Sequence, residues 1–341
     1  MGLFDLLKRV LGKRSSTPSQ RSAPMQISPP KPYELLPAWA AHFQTVDDVN
    51  EFERLVDAYF RKRNIAAFVH EGIAHRIGDD GKPNGHQSGL TKVSQMCSAS
   101  ERWEWSGLIA AHFDTLDRAG RNQAESDPKF KSYDWCESRL VTRLIQPIDG
   151  DVTPKWHCRQ DFEGLVTYLA LDMGETFCSV LTENTKDWPG TVEQWFQIAE
   201  ANARRIAPAT HAVESLPDEL ELHLIQTADH VAAWSKALDQ FSQIFGTFGA
   251  FVSMPTSSLI VALPIHGVDA IGHLQSFISI TMGLDRDGPG SISPYVYWVK
   301  DDVWHKFEIV VDGQSVRITP PDAFVELMNS LAGDEPNASQ S

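Results

Sequence analysis

Two β-rich runs around a turn, followed by an amphipathic helical stretch, recur along this chain, and that order is its strongest constraint. The first such unit is "IAAFVHEGIAHRIG", turning at Glu71-Gly72, then "SGLTKVSQMCSASERWEWSGLIAAHF". Ser98 and Glu101 have the spacing of a helix capping box, and Trp105, Leu108, Ile109 and Phe113 fall on one helical face. The second, "GLVTYLALDMGETFCSVLTE", turns at Met173-Gly174-Glu175. It leads into a helix capped by Thr191 and Gln194, with Trp195, Ile198 and Ala199 inward. The third, "TFGAFVSMPTSSLIVALPI", turns at Pro255-Thr256 before a helix whose face is Val268, Ile271, Leu274, Phe277 and Ile278. The fourth, "SPYVYWVKDDVWHKFEIVVDGQSVRITP", turns at Asp301-Asp302 and Asp312-Gly313. A closing helix from Pro321 turns Phe324, Leu327, Met328 and Leu331 inward. Hairpins followed by helices predict an α+β fold with mainly antiparallel or mixed sheets, not a doubly wound parallel sheet. Trp105, Phe113, Leu169, Trp195, Phe251, Ile260 and Phe277 are the expected core. The units share an order and no residue-level repeat.

Residues 15–32, "SSTPSQRSAPMQISPPKP", hold too little apolar surface to offset their ordering entropy, and read as a disordered linker. The segment 332–341 reads as a disordered tail. Between the second and third units, "APATHAVESLPDE" collects Pro and small polar residues. The expected organisation is therefore a helix over 1–14, the linker, a first α+β domain over 33–206, a second over 217–331, and the tail. The alternative is one continuous domain over 33–331.

Charge is divided unevenly. Residues 1–32 carry Lys8, Arg9, Lys13, Arg14, Arg21 and Lys31 against Asp5, so they hold +5 of a chain whose net charge is −15, and the remainder holds −20. A body that acidic repels phosphate, so no nucleic-acid partner is expected. No apolar run reaches the ~20 residues of a membrane-spanning helix, and the N-terminus lacks a signal-peptide pattern. A cytoplasmic protein, or one peripheral at the inner face of the membrane, is expected.

The residues that could carry chemistry are scattered. Cys97, Cys136, Cys158 and Cys178 form no CxxC pair and read as reduced core thiols. His70, His75 and His86 lie near Asp79 and Asp80, but their spacing fits no ligand pattern of paired imidazoles, and a hairpin with incidental histidines is the simpler reading. His157 and Cys158 are adjacent on a strand and so face opposite ways. "GHQSG" puts Ser88 one position away from a nucleophile elbow, and "DRDGPGS" precedes a strand where a phosphate loop would precede a helix. Asp79-Asp80 and Asp301-Asp302 are explained by turn chemistry. The sequence therefore assigns no catalytic residue, no metal ligand and no cofactor. Its tryptophans are expected mostly in the core, with any exposed ones suited to a protein-binding surface.

The N-terminal stretch "MGLFDLLKRVLGKR" is different. Leu3, Leu6, Leu7, Val10 and Leu11 share one helical face that Phe4 widens, and Lys8, Arg9, Lys13 and Arg14 gather toward its C-terminal end. A helix of about a dozen residues is marginal alone in water and needs a surface. A partner groove, an anionic membrane or the acidic body itself would each serve, since the linker spans roughly 20–25 Å as a coil. Leu6 occupies the position where N-myristoylation would call for Ser or Thr.

"GLTKVSQMCSASERWEWSGLIAAHF", "RLIQPI" and "GLVTYLALDMGETFCSVLTENTKDWPGTVEQWFQIAEANARR" follow one another in an order that resembles the YtpQ-like family of bacterial proteins. The similarity covers residues 65–310. It rests on Val180-Leu181-Thr182-Glu183, Trp188 and Ala201-Asn202, together with "FVSMPTSSLIVALPI" and "SPYVYWVKDDVW". The resemblance implies a bacterial, cytosolic α+β protein and transfers no catalytic residue. The resulting expectation is a non-catalytic binding or adaptor protein held by residues 1–14 to a membrane surface or partner. An enzyme with a site assembled from distant residues, or a scaffold subunit of a bacterial complex, are the alternatives. Flotation with anionic liposomes tests the segment: the full chain should float at low salt and release at high salt, and a chain starting at Tyr33 should not float. Equal behaviour of the two would remove the membrane from the reading.

Overall fold

A computed structural model describes residues 33, 35–78, 80–147, 155–216, 221–312 and 315–333. The expected helix over 1–14 and linker over 15–32 lie outside them. By its contacts the chain divides into two units, Met1–Arg121 with Arg286–Ser291, and Asn122–Asp285 with Ile292–Ser341. The stretch 207–219, expected as a boundary between domains, falls inside the second unit. There Thr210–Ser215 form a strand paired antiparallel with Glu221–Gln226, so its small polar residues belong to an exposed strand.

In the first unit, helix α1 (Val46–Lys62) starts at Thr45, which forms a capping box with Asp48. Each side chain accepts from the other's backbone N–H, filling donors that the first helical turn leaves open. Val49, Phe52, Val56, Tyr59 and Phe60 recur at helical spacing and are buried. Strands β1 (Ala67–His70) and β2 (Ile73–Ile77) pair antiparallel. Their turn places Glu71 at φ 46° and Gly72 at φ 74°, the left-handed geometry that matches strand twist. The polar loop after β2 contributes strand β3 (Pro83–Gly89), antiparallel to β2.

The helical region that follows is broken into α2 (Thr91–Ser98), a 3-10 turn at Arg102–Glu104, and α3 (Trp105–Ser126), which crosses the division between units. Ser98 does not cap the second helix. It ends α2, with its hydroxyl donating to the Gln95 carbonyl at 3.0 Å, and Glu101 with Glu104 forms the capping box instead. Trp105, Ile109 and Phe113 pack with the apolar face of α1 and with Val93 and Cys97 of α2. Each such side chain contributes about 1.5–3 kcal/mol on burial.

The second unit opens with α4 (Tyr133–Glu137) and β4 (Leu140–Ile145). β5 (Cys158–Arg159), β6 (Val166–Asp172) and β7 (Phe177–Ser179) complete an antiparallel sheet. β4 lines one edge of β6, while β5 and β7 share the other. Helix α5 (Val192–Ile206) carries the expected capping box of Thr191 and Gln194. Then come β8 (Thr210–Ser215), β9 (Glu221–Gln226), α6 (Val231–Ser235), β10 (Ala250–Thr256), β11 (Leu259–Pro264), α7 (Val268–Gly272) and α8 (Leu274–Asp287). Strands β12 (Val296–Lys300) and β13 (Val303–Lys306), the hairpin β14 (Glu308–Asp312) with β15 (Ser315–Thr319), and α9 (Asp322–Gly333) close the chain. α9 thus includes the first two residues of the expected tail; the rest of that tail is outside the described residues.

Six strands form one antiparallel sheet in the order β13-β12-β10-β11-β9-β8. The β12–β13 turn is the expected Asp301-Asp302, both at positive φ. The β10–β11 turn is displaced from Pro255-Thr256 to Ser257-Ser258. Proline has no N–H for the ladder, and Pro255 sits inside β10 where the register breaks between Ser253 and Thr256. The expected third helix is split at His273 into α7 and α8. The Asp312-Gly313 turn enters residues that are not described. All described strand pairs are antiparallel, so the fold is α+β, and all seven expected core residues are buried.

Gly249 is set by its surroundings. It has φ 89°, and a Cβ there would lie 2.3 Å from the Val299 carbonyl oxygen. Gly249→Ala should therefore destabilise the second unit by at least about 2 kcal/mol. Thr191→Ala, which removes only a cap, should cost about 1 kcal/mol. Denaturant titration checks both. Equal losses would mean that β12 yields at Val299.

Candidate functional site

The open groove of the second unit is built on α5. Thr191 and Gln194 fix where α5 starts, and Gly190, at φ 83°, leaves room for the Gln194 amide that a Cβ would meet at 2.7 Å. Trp195 turns inward and donates from Nε1 to the Pro189 carbonyl at 2.7 Å. Its ring meets Trp188 edge-on at 5.3 Å, and Trp188 meets Tyr133 likewise at 5.5 Å. Asn202, further along α5, donates to the carbonyls of Glu137 and Leu140 and so ties α4 and β4 to the helix. The result is a groove of about 440 Å3 between α5 (Gln194, Trp195, Gln197, Ile198, Ala201), Tyr133 and Pro189-Gly190. None of these side chains is charged at neutral pH. Burial raises the Tyr133 hydroxyl pKa, and Glu137, which accepts its hydrogen bond at 3.1 Å, acts in the same direction.

A second cluster lies where β9 turns into α6. Ala228 and Asp229 are consecutive residues at positive φ, 45° and 70°, a conformation that costs non-glycine residues energy. Neighbouring groups hold it. The Ser257 hydroxyl donates to the Asp229 carboxylate, and the Arg143 guanidinium donates to the Asp229 carbonyl. Arg143 also lies 4.1 Å over the Phe177 ring. His230 is 3% exposed, and its Nδ1 has no hydrogen-bond partner among the described residues. Burial lowers the His230 pKa, Arg143 adds to this, and Asp172 and Asp229 oppose it. Serine, aspartate and histidine meet here, but the hydrogen bond runs from Ser257 directly to Asp229. A hydrolase relay would run from serine to histidine to carboxylate. This arrangement locks a strained turn.

The candidates from sequence are placed separately. Leu3, Phe4, Leu6, Leu7, Lys8, Arg9, Val10, Leu11, Lys13 and Arg14 lie outside the described residues. His70 is at the exposed end of β1, His75 stacks on Phe68 at 4.9 Å, and His86 is on β3. Asp80 accepts from the Lys82 amide at 3.0 Å, as turn chemistry requires. His157 shares a 2.7 Å hydrogen bond with Thr185. Burial pushes the Cys97 and Cys136 thiols up to about 12, which leaves them protonated and unreactive. Ser88 is in β3 opposite Ala74, on extended strand and not at an elbow. Trp103 stands out at 79% exposure, while its neighbour Trp105 is buried. Among the described residues no group of three or more His, Cys, Asp or Glu is placed to hold a metal ion, and no helix is long and apolar enough to cross a membrane. The groove was not legible in sequence, because Tyr133 and α5 are separated by a whole sheet.

In the first unit, Glu53 is 8% exposed and accepts from the Tyr33 hydroxyl at 2.8 Å. Burial raises its pKa from 4.5 to about 7, and the Tyr33 hydrogen bond offsets some of that rise. A carboxyl raised in the folded state contributes stability below its unfolded pKa and loses it as pH rises through the folded value. Glu53→Gln keeps an acceptor for Tyr33 and removes the buried charge. It should be more stable than the parent by about 1–3 kcal/mol near pH 8, with the difference closing near pH 4. Thermal melts across that range check it; a pH-independent difference would contradict the burial argument. No family model matches this chain, no curated protein matches it, and no solved structure matches it.

Proposed function

We propose that this chain is a non-catalytic binding or adaptor protein of the bacterial cytosol, held through residues 1–14 to a membrane surface or partner. The α5 groove carries the reading. Its volume of about 440 Å3 falls in the range of ligand sites. Ile198 offers an apolar anchor beside the buried Trp195 ring, Gln194 and Gln197 offer amides, and no lining side chain is charged at neutral pH. Such a surface suits an uncharged, apolar-anchored segment of a protein partner. The exposed Trp103 of the first unit supports the same class of function. The YtpQ-like resemblance agrees with it and adds no activity.

An enzyme is the second reading, favoured by the strained Ala228-Asp229 turn beside buried His230. The two are separable by substitution. Pull-downs from the native cell with the full chain should recover a defined partner, which Ile198→Glu weakens by tenfold or more. Gln197→Arg, at an exposed position, should do the same without touching the core. Loss of partner only on deleting residues 1–32 would leave the tether and remove the groove. Full recovery by every variant would overturn the adaptor reading.

A further inference from the structure

β8 and β9 bring together two histidines that are twelve positions apart in sequence. In the antiparallel register His211 opposes Ile225 and Val213 opposes His223. His211 and His223 are therefore diagonal neighbours on one face of the sheet, within reach of each other's rings. Their rings stack with centroids 5.1 Å apart and planes 26° apart. His211 Nε2 lies 3.0 Å from His223 Nδ1, and the Gln243 amide reaches His211 Nδ1 at 3.2 Å. His223 is 8% exposed, while His211 is half-buried and open to an ion arriving from solvent.

We infer that His211 and His223 form a chelating site for a divalent transition metal, with Gln243 as its positioning residue. The 3.0 Å between the two nitrogens is the length of their hydrogen bond, which an ion would replace with two metal–nitrogen bonds of about 2.0–2.1 Å. Imidazole ligands suit Cu2+, Ni2+ and Zn2+, and affinity for a nitrogen site rises along that part of the series to Cu2+. Two protein ligands leave the other positions to water, in keeping with the lack of any three-residue cluster among the described residues.

The hydrogens balance without a net change of charge on the protein. In the metal-free chain, Gln243 donates to His211 Nδ1, His211 carries its hydrogen on Nε2, and His223 Nδ1 accepts it. On binding, the His211 hydrogen moves from Nε2 to Nδ1 through solvent, and the Gln243 amide turns its oxygen to accept it. Both ligating nitrogens then present lone pairs, and Gln243 fixes the tautomer from outside the coordination shell.

The test is calorimetric titration of the full chain with Ni2+ at neutral pH, with Cu2+ electron paramagnetic resonance as a second readout. One site per chain is expected, with two nitrogen ligands seen by Cu2+. His211→Ala should weaken it tenfold or more. Gln243→Ala, which leaves both imidazoles, should weaken it several-fold. His70→Ala, at an exposed histidine elsewhere, should leave it unchanged. Equal affinity in the His211→Ala chain and the parent, or no binding by the parent, would overturn the inference. Both informative substitutions lie near the surface, and circular dichroism confirms that each variant folds.

Discussion

β10 is covered on both faces, and much of the second unit depends on that. Ala250, Val252 and Met254 face a cluster with Trp234, Ile244, Leu144 and Phe162. The alternate residues Phe251 and Ser253 face the other way, where Phe251 meets Phe277 of α8 and Phe324 of α9, and Ser253 accepts from Thr281. A strand buried on both faces has no tolerance for a register slip, because either face would meet the wrong volumes. That requirement places Gly246 and Gly249 in the tight entry to β10, where a side chain would strike the Ile265 or Val299 backbone. It also fixes the Ser257-Ser258 turn against which the strained Ala228-Asp229 loop is held.

The first unit reaches the same end with fewer strands. Aromatic rings of α1 and α3 fill its core, and polar ties at the rim orient the two helices. Tyr59 of α1 and Arg63, the residue just past its end, both donate to Asp114 of α3, at 2.8 Å each, and Arg76 of β2 pairs with Asp117 one turn along. Half-exposed ion pairs of this kind contribute little energy each; their value is in fixing rotation about the helix axes. The core supplies the stability.

How much of this could be read from sequence follows from how local each feature is. The Thr191 cap, the Glu71-Gly72 and Asp301-Asp302 turns, and the inward faces of α3 and α5 are decided within a few residues, and the structure shows them. β3 and β8 went unread because "PNGHQSG" and "THAVES" lack apolar alternation. They are strands only because β2 and β9 offer them hydrogen bonds. The β10–β11 turn was misplaced because proline usually ends a strand, whereas here the register breaks around it. The Ser98 cap failed because the Glu101 N–H that it would have met donates to the Glu104 carboxylate. The candidate sites are less legible still. The groove needs Tyr133 beside α5, and the imidazole pair needs the β8–β9 register. Neither relation is a spacing along the chain. Residues 1–14, where the sequence shows an amphipathic pattern, lie outside the described residues.

The central claim is that the chain works by presenting the α5 groove to a partner. The most direct measurement is photo-crosslinking in the native cell from a benzophenone amino acid at Gln197, with the same probe at exposed Glu326 of α9 as the reference. A discrete adduct from position 197 and none of that mass from position 326 is the expected result. Indistinguishable adduct patterns at the two positions, or no adduct at 197, would contradict the account.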